Sequence, residues 1–343
     1  MSAALVVQTS FLGDTVLTTP LLAFLARSAP VDVVCTPASA ELLANNPSVR
    51  EVIAYDKRRS ERGAAGFLRL AGRLRERRYA TAYLAQGSVR SGALAYMAGI
   101  SERVGFATSA GRPFYTRRIA PIENTHHAAR LLALGTRDPL PELSRQELRP
   151  RLYPGARERD AVDQLLARRP ERSPGDHPDD DKRLIALAPG SVWATKRWPF
   201  YADLARELAP RARIVVIGAE GDRSLADEIR SATNGEMIDA TGKLSLLASA
   251  EVIRRAAVLV TNDSAPLHLA SAMNTPTIAV FGPTVPEFGF GPLADVARVV
   301  GHPELACRPC DRHGPQRCPL GHWRCMREIS AGAVASLARE LLS

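Results

Sequence analysis

The 343 residues exceed what one hydrophobic core usually supports, and an apolar fraction of 45% with 6% aromatics gives buried material for two domains. Lysine and arginine number 45 against 36 acidic residues, a formal charge of +9; that fits either an anionic partner or an arginine-rich surface, and the absence of any nucleic-acid motif speaks against DNA or RNA. No apolar run reaches the length of a membrane span, and the N-terminus lacks a secretory signal's basic start and apolar core, so a cytoplasmic protein with at most peripheral membrane contact is expected.

In chain order, residues 5–8 read as a strand, 15–28 as a helix with apolar residues at helical spacing, 31–35 as a strand, and 42–45 as the end of a short helix. Residues 49–55 form a third strand, 67–77 an amphipathic helix and 80–84 a fourth strand. Residues 168–182 carry three prolines and dense charge, the composition of an exposed linker. The alternation then restarts with strands over 184–188, 213–217, 258–261 and 277–281. Helices are expected over 200–208, 223–232, 246–255, 266–273 and 330–342, the last capped by Ser330. Repeated βα units imply parallel sheets covered on both faces. The expectation is α/β: two Rossmann-like doubly wound domains facing a central cleft, residues 1–168 and 183–343 around a linker at 169–182, with the final helix free to pack back on the first domain.

Five segments can carry chemistry. In Ser10–Thr15, Gly13 would let the backbone approach a ligand, and Asp14 is either an N-cap or a general base at the sheet edge. In the turn from 188 to 199, Gly190, Ser191, Val192, Lys196 and Arg197 suit a diphosphate, with Lys196 a mobile point charge; a plain solvated basic turn is the alternative. Residues 261–270 form a strand–turn–helix unit in which Asp263, Ser264, Ala265 and the helix N-terminus can meet a phosphate or sugar, with His268 in the first turn. Glu220 and Asp222, in a glycine-bearing turn, suit a ribose. Cys307, Cys310, Cys318 and Cys325 can be read as a structural zinc site or as reduced thiols packing a loop, and Cys35 as a small core residue. Asp179–Asp181 read as a solvated charge run.

With these pieces assembled, the chain resembles glycosyltransferase family 9, the heptosyltransferases of lipopolysaccharide inner-core assembly. The resemblance rests on SFLGDTVLTTP, APGSVWATKRWP, GAEGD, TGKLSL, TNDSAPLHLASAMNTPTIAVFGPT and the cysteine-bearing tail, and is greatest to the heptosyltransferase II branch. It implies a GT-B fold, the acceptor on the first domain and ADP-heptose on the second, inversion at the anomeric carbon and no required cofactor. By that match Asp14 is the base and Lys196 contacts the donor phosphates. Asp222, ahead of Glu220, is the donor-turn carboxylate. Leu244 lies near adenine, and Asp263, Ser264, Ala265 and His268 form the diphosphate and sugar pocket, with Ser191 and Val192 beside it. Ala265 stands where the family often has glycine, which narrows the approach of a phosphate. Arg58, Arg59 and Arg62, with Lys57, Arg112, Arg117 and Arg118, would engage an anionic glycolipid of the lipid A–Kdo type. Competing readings are transfer of a different activated sugar, a nucleotide-sugar 2-epimerase, a two-lobed solute-binding protein and a nucleic-acid binder.

Overall fold

The computed structural model describes residues 2–57, 59, 61–120, 122–137, 142–167 and 182–342. The chain divides into two compact units, Met1–Tyr153 and Pro154–Ser343.

The first unit carries strands β1 (Ala4–Gln8), β2 (Val31–Cys35), β3 (Glu51–Ala54), β4 (Thr81–Leu84), β5 (Glu102–Phe106) and β6 (Arg117–Ile119). Its helices are α1 (Leu12–Leu25), α2 (Pro37–Leu43), α3 (Gly63–Glu76), α4 (Val89–Met97), α5 (His127–Leu132) and α6 (Arg145–Leu148). The sheet is parallel with the order β3-β2-β1-β4-β5-β6. β1 and β2 are buried along their whole length, as expected of strands covered on both faces. α1 buries Leu17, Leu21 and Leu22 and packs on α5. Its internal Pro20 removes the amide that would have served the Val16 carbonyl; the Thr19 hydroxyl donates to that oxygen at 2.8 Å, and the helix runs on. At the amino edge of the sheet, Asp32 is fully buried yet satisfied, accepting from Arg50 Nε at 2.8 Å, Arg50 Nη2 at 2.6 Å and the Tyr79 hydroxyl at 2.5 Å.

The second unit repeats the plan with β7 (Leu184–Ala188), β8 (Arg213–Val216), β9 (Met237–Asp239), β10 (Val258–Asn262), β11 (Thr277–Phe281) and β12 (Ala297–Gly301), in the order β12-β11-β10-β7-β8-β9. Its helices are α7 (Ala156–Ala167), α8 (Tyr201–Leu208), α9 (Arg223–Ala232), α10 (Leu246–Arg255), α11 (Ala265–Met273), α12 (Arg324–Arg327) and α13 (Ala331–Leu342). α7, placed before the boundary by the linker composition, packs on α10 in the second unit, and its Asp163 pairs with Arg255. Most of the linker, and Asp179–Asp181 with it, lies outside the described residues. The final helix shares the core of the second unit: Val334, Ala335 and Ala338 pack with Trp198, Ile278 and Val280. Ser330 does cap it, accepting from the Ala333 amide at 3.3 Å.

Both sheets reverse direction at one place, between β1 and β4 in the first unit and between β7 and β10 in the second. Helices on either side of such a reversal lie on opposite faces, which leaves a crevice at the carboxyl ends of the two strands.

Candidate functional site

The turn after β1 opens at the first of these crevices. Asp14 is the third residue of α1, and Phe11 occupies the cap position without a side-chain bond, so the N-cap alternative fails. The carboxylate meets the positive end of the helix and two side chains able to exchange protons. The Ser10 hydroxyl donates to Oδ2, and Oδ1 lies 3.7 Å from Nε2 of His127 at the start of α5. The sequence offers no local sign of His127, because a six-residue helix shows no periodicity and the contact is made far along the chain. Gly13 sits in the first turn of α1. Two further bonds tie the neighbouring loops to this turn. Lys57 Nζ donates to the Thr9 carbonyl at 3.0 Å, and the Thr9 hydroxyl donates to Gln86 Oε1 at 3.4 Å.

The basic residues of this unit divide. Arg59 and Arg62 are exposed, and Arg58 lies outside the described residues. Arg112 and Arg118 are also exposed. Arg117 does not stand ready for an acceptor: it lies 3.3 Å from Glu102 and donates to the carbonyls of Thr136 and Leu134, which makes it a brace beneath the edge strand.

In the second unit the loops after β7 and β10 meet at the other crevice. Lys196 Nζ donates to Asp263 Oδ2 at 2.6 Å, with the two side chains 10% and 9% exposed, and the Thr284 hydroxyl donates to the same oxygen at 2.7 Å. Lys196 is therefore a fixed, buried ammonium rather than a mobile charge. Its loop is held by the C-terminal tail. The Thr195 hydroxyl donates to the Pro315 carbonyl, Gln316 Oε1 accepts from the Ala194 amide at 3.2 Å, and Gln316 Nε2 donates to the Val192 carbonyl at 3.0 Å. Gly314, at φ +85°, lies against the lysine stem: a Cβ there would stand 3.2 Å from Lys196 Cε. Buried Asn262 bolts the strands together, accepting from the Trp198 amide at 3.2 Å and donating to the Pro189 carbonyl at 2.8 Å.

Ser264 occupies the N-cap position of α11 without a side-chain capping bond, and Ala265 and Pro266 open the helix. Pro266 has no N–H, and the Leu267 amide is spent on the Ser264 carbonyl at 3.1 Å, so the amides able to meet an anion here are those of Ser264 and Ala265. His268 is the fourth helical residue, buried, with its ring 6.2 Å from that of Phe290. Ser191 turns its oxygen onto the Trp193 amide at 3.3 Å, while the Val192 side chain is exposed. Asp222 accepts from the Ala219 amide at 2.9 Å and covers Gly190, where a Cβ would lie 2.4 Å from its Oδ2. Glu220 is exposed, pairs with Arg223 at 2.9 Å, and lies against Gly242 in the turn that leads to half-buried Leu244. The structure thus gathers Ser191, Lys196, Asp222, Asp263 and the α11 terminus on the loops of β7, β8 and β10.

The structure gives the zinc reading of the cysteines no support. Among the described residues no three His, Cys, Asp or Glu side chains converge as a metal requires. The Cys310 thiol donates to the Cys307 carbonyl at 3.1 Å, and Cys307 Sγ faces His322 Nε2 at 3.9 Å. Cys325 is buried in the apolar core, where burial pushes its thiol up to about 11. Pinning the long tail loop is the work of Gly314–Gln316 instead. Cys35 is the core residue expected, fully buried.

Residues 67–321 match the family described as glycosyltransferase family 9 (heptosyltransferase). The lipopolysaccharide heptosyltransferase 2 of Escherichia coli strain K12 is 27% identical over 316 residues, covering 86% of this chain and 87% of that protein. The crystal structure of a glycosyltransferase of family 9 from Veillonella parvula superimposes with a TM-score of 0.82 at 22% identity, over 99% of this chain and 97% of that one. The E. coli ADP-heptose lipopolysaccharide heptosyltransferase II structure gives 0.76 at 23%, over 100% and 98%. The fold is accordingly the GT-B pair of Rossmann-like domains, and the chain belongs to glycosyltransferase family 9 and is a glycosyltransferase.

Proposed function

We propose that this enzyme transfers heptose, with inversion, from ADP-L-glycero-D-manno-heptose to the inner core of lipopolysaccharide, with the acceptor on the first unit and the donor on the second. The names of its relatives support the sugar and the acceptor: the E. coli proteins of similar sequence and fold are named for lipopolysaccharide heptosyl transfer, one of them with ADP-heptose. The observation that carries the mechanism is Asp14, a carboxylate at the β1–β4 crevice with a hydroxyl on one oxygen and an imidazole facing the other.

Asp14 takes the proton of the acceptor hydroxyl as that oxygen attacks the anomeric carbon on the face opposite the diphosphate. The C–O bond to phosphate breaks and ADP departs with the electron pair. Lys196 and the amides of Ser264 and Ala265 hold the growing charge on the diphosphate. Lys196 is already fixed by Asp263 before donor arrives, so little side-chain ordering is needed at that step. On the ribose, Glu220 competes with Asp222, whose Oδ2 already serves its own turn. Arg58, Arg59 and Arg62 bind the anionic glycolipid, and work at the cytoplasmic face of the inner membrane follows from that substrate. No helix of the described residues is long and apolar enough to cross a membrane.

The test is a donor screen with ADP-, UDP- and GDP-sugars and a Kdo–lipid A type acceptor, run on the wild type and on Asp14→Asn. Transfer from ADP-heptose is expected, and Asp14→Asn should lower turnover by about 10²–10⁴ while leaving donor binding unchanged. Near-normal turnover by the variant would end the base assignment, and preference for another donor would end the heptose assignment.

A further inference from the structure

Arg308 lies in the tail loop between β12 and α12, and its guanidinium closes over the carboxyl ends of β11 and β12. Nη2 donates to the Phe281 carbonyl at 3.1 Å and to the Thr284 carbonyl at 3.0 Å, and Nη1 donates to the His302 carbonyl. Among the described residues no carboxylate pairs with Arg308, and its bonds run to backbone carbonyls alone. Gly301 leaves room for the fork: a Cβ there would stand 3.0 Å from Nη2 and 2.9 Å from the Phe281 oxygen. The Cys310 amide takes the Pro283 carbonyl at 2.9 Å. Two residues of the tail therefore hold three carbonyls of the turn that follows β11.

That turn delivers Thr284 to the donor crevice. Thr284 is 1% exposed, and its hydroxyl donates at 2.7 Å to Asp263 Oδ2, the oxygen that accepts from Lys196 Nζ at 2.6 Å. A β-branched side chain has few rotamers, so where the main chain of Thr284 sits decides where its hydroxyl points. A guanidinium is suited to fixing that main chain, because its planar fork bonds several carbonyls at once, whereas an ammonium is a compact point charge. Hydrogen bonds from a charged donor are also about twice as strong as neutral ones. The contacts run without a gap from the guanidinium through the Thr284 carbonyl and hydroxyl to Asp263 and Lys196.

We infer that Arg308 is a positioning residue for the donor diphosphate: it fixes the Phe281–Thr284 turn so that Thr284 orients Asp263 and, through it, the Lys196 ammonium. This rests on the donor reading above and extends it to a residue that acts only through Thr284. The competing account is that Arg308 merely fastens the tail to the sheet.

The experiment uses the full chain and measures ADP binding by calorimetry, turnover with ADP-heptose and a Kdo–lipid A type acceptor, and thermal melting. Arg308→Gln should raise the ADP Kd and lower kcat, each about tenfold, the scale of one hydrogen bond to a charged group. Thr284→Val should do the same. The double variant should be within about twofold of the worse single one, because both changes act on one contact to Asp263. Arg308→Lys keeps the charge and most of the stem but not the fork, so it should fold and still bind ADP several-fold more weakly than wild type, on the same scale. Losses that multiply to about a hundredfold in the double variant overturn the proposal. So does wild-type ADP affinity in Arg308→Lys, or a lower melting temperature in Arg308→Gln with the ADP Kd unchanged, which would leave Arg308 a fastener of the tail. A wild type that binds ADP beside indifferent Arg308 variants sinks this role alone; a wild type with no affinity for ADP sinks the donor reading and this role with it.

Discussion

Replacing Lys196 by methionine separates two jobs done by one ammonium. Lys196 and Asp263 are about nine-tenths buried and 2.6 Å apart. Removing the cation leaves the Asp263 carboxylate in place, with the Thr284 hydroxyl as its remaining donor among the described residues. Breaking one side of a buried pair costs about 3–5 kcal/mol. Methionine keeps an unbranched stem against Gly314, so a loss of about 3 kcal/mol is expected. In a unit of about 190 residues each kcal/mol moves the melting point by roughly 2–4 °C, which predicts a fall of about 6–12 °C in the transition of the second unit. Turnover should fall on the order of 10²–10³, because the departing diphosphate loses a preorganised donor. Adding Asp263→Asn removes the stranded charge, and this double variant should regain most of the thermal stability and none of the turnover. Circular-dichroism melts paired with an ADP-release assay measure both quantities. Lys196→Met melting within a degree or two of wild type would show that the pair is not buried in solution. Turnover returning with stability in the double variant would show that the lysine serves structure alone.

His127→Gln should lower kcat about tenfold, less than Asp14→Asn, because the ring faces the carboxylate at 3.7 Å without holding it; a drop in Tm with kcat unchanged would count against that role. Burial alone would raise the Asp32 carboxyl, but hydrogen bonds from Arg50 and Tyr79 and the charges of Arg50 and Arg77 outweigh it and lower the group. A folded value below the unfolded one, about 3.9, stabilises the first unit fully above about pH 4 and is lost as pH falls through the folded value. Denaturant midpoints of wild type and Asp32→Asn should therefore differ at pH 7 and converge below pH 4, and a pH-independent gap would refute the assignment. Dialysis against a chelator should leave the melting curve unchanged, since the tail loop is pinned by Gly314–Gln316; loss of the second-unit transition would restore a metal to the cysteines.

The buried parallel strands were legible from sequence because each is a short, mostly apolar run with β-branched residues between turns, Asp32 in β2 being the charged exception. Val31–Cys35, Leu184–Ala188 and Thr277–Phe281 begin and end where their composition changes. β12 is an edge strand with Arg298 and Val299 exposed, and β9 is three residues long, so neither has the pattern that marks a strand. At the two crevices, Asp14 in the first unit and Lys196 and Asp263 in the second could be found because each sits in a strand–turn–helix junction. Their environments could not. A lysine in a basic turn reads as solvated, and its burial depends on Thr284 and Gly314, which reach it from other loops. Arg117 reads as part of a basic patch and turns out to be a brace, since its partners Glu102, Leu134 and Thr136 come together only in the folded sheet.

Both units use one strand order, so sheet topology explains where the two sites lie but not why they differ. The difference is burial and partners. Asp14 is 20% exposed beside a hydroxyl and an imidazole. A general base has to meet its substrate and hand the proton on, and those surroundings allow both. Asp263 is more deeply buried, and its carboxylate is committed to an ammonium and a threonine hydroxyl. That arrangement holds Lys196 in a fixed place where water screens charge weakly, which is the condition under which a cation does most for a departing diphosphate. Asp14 follows β1 and Asp263 follows β10, the two different strands that flank the reversal in their sheets, so on the proposed reading it is exposure and partners that suit the first to meet a substrate and the second to position Lys196.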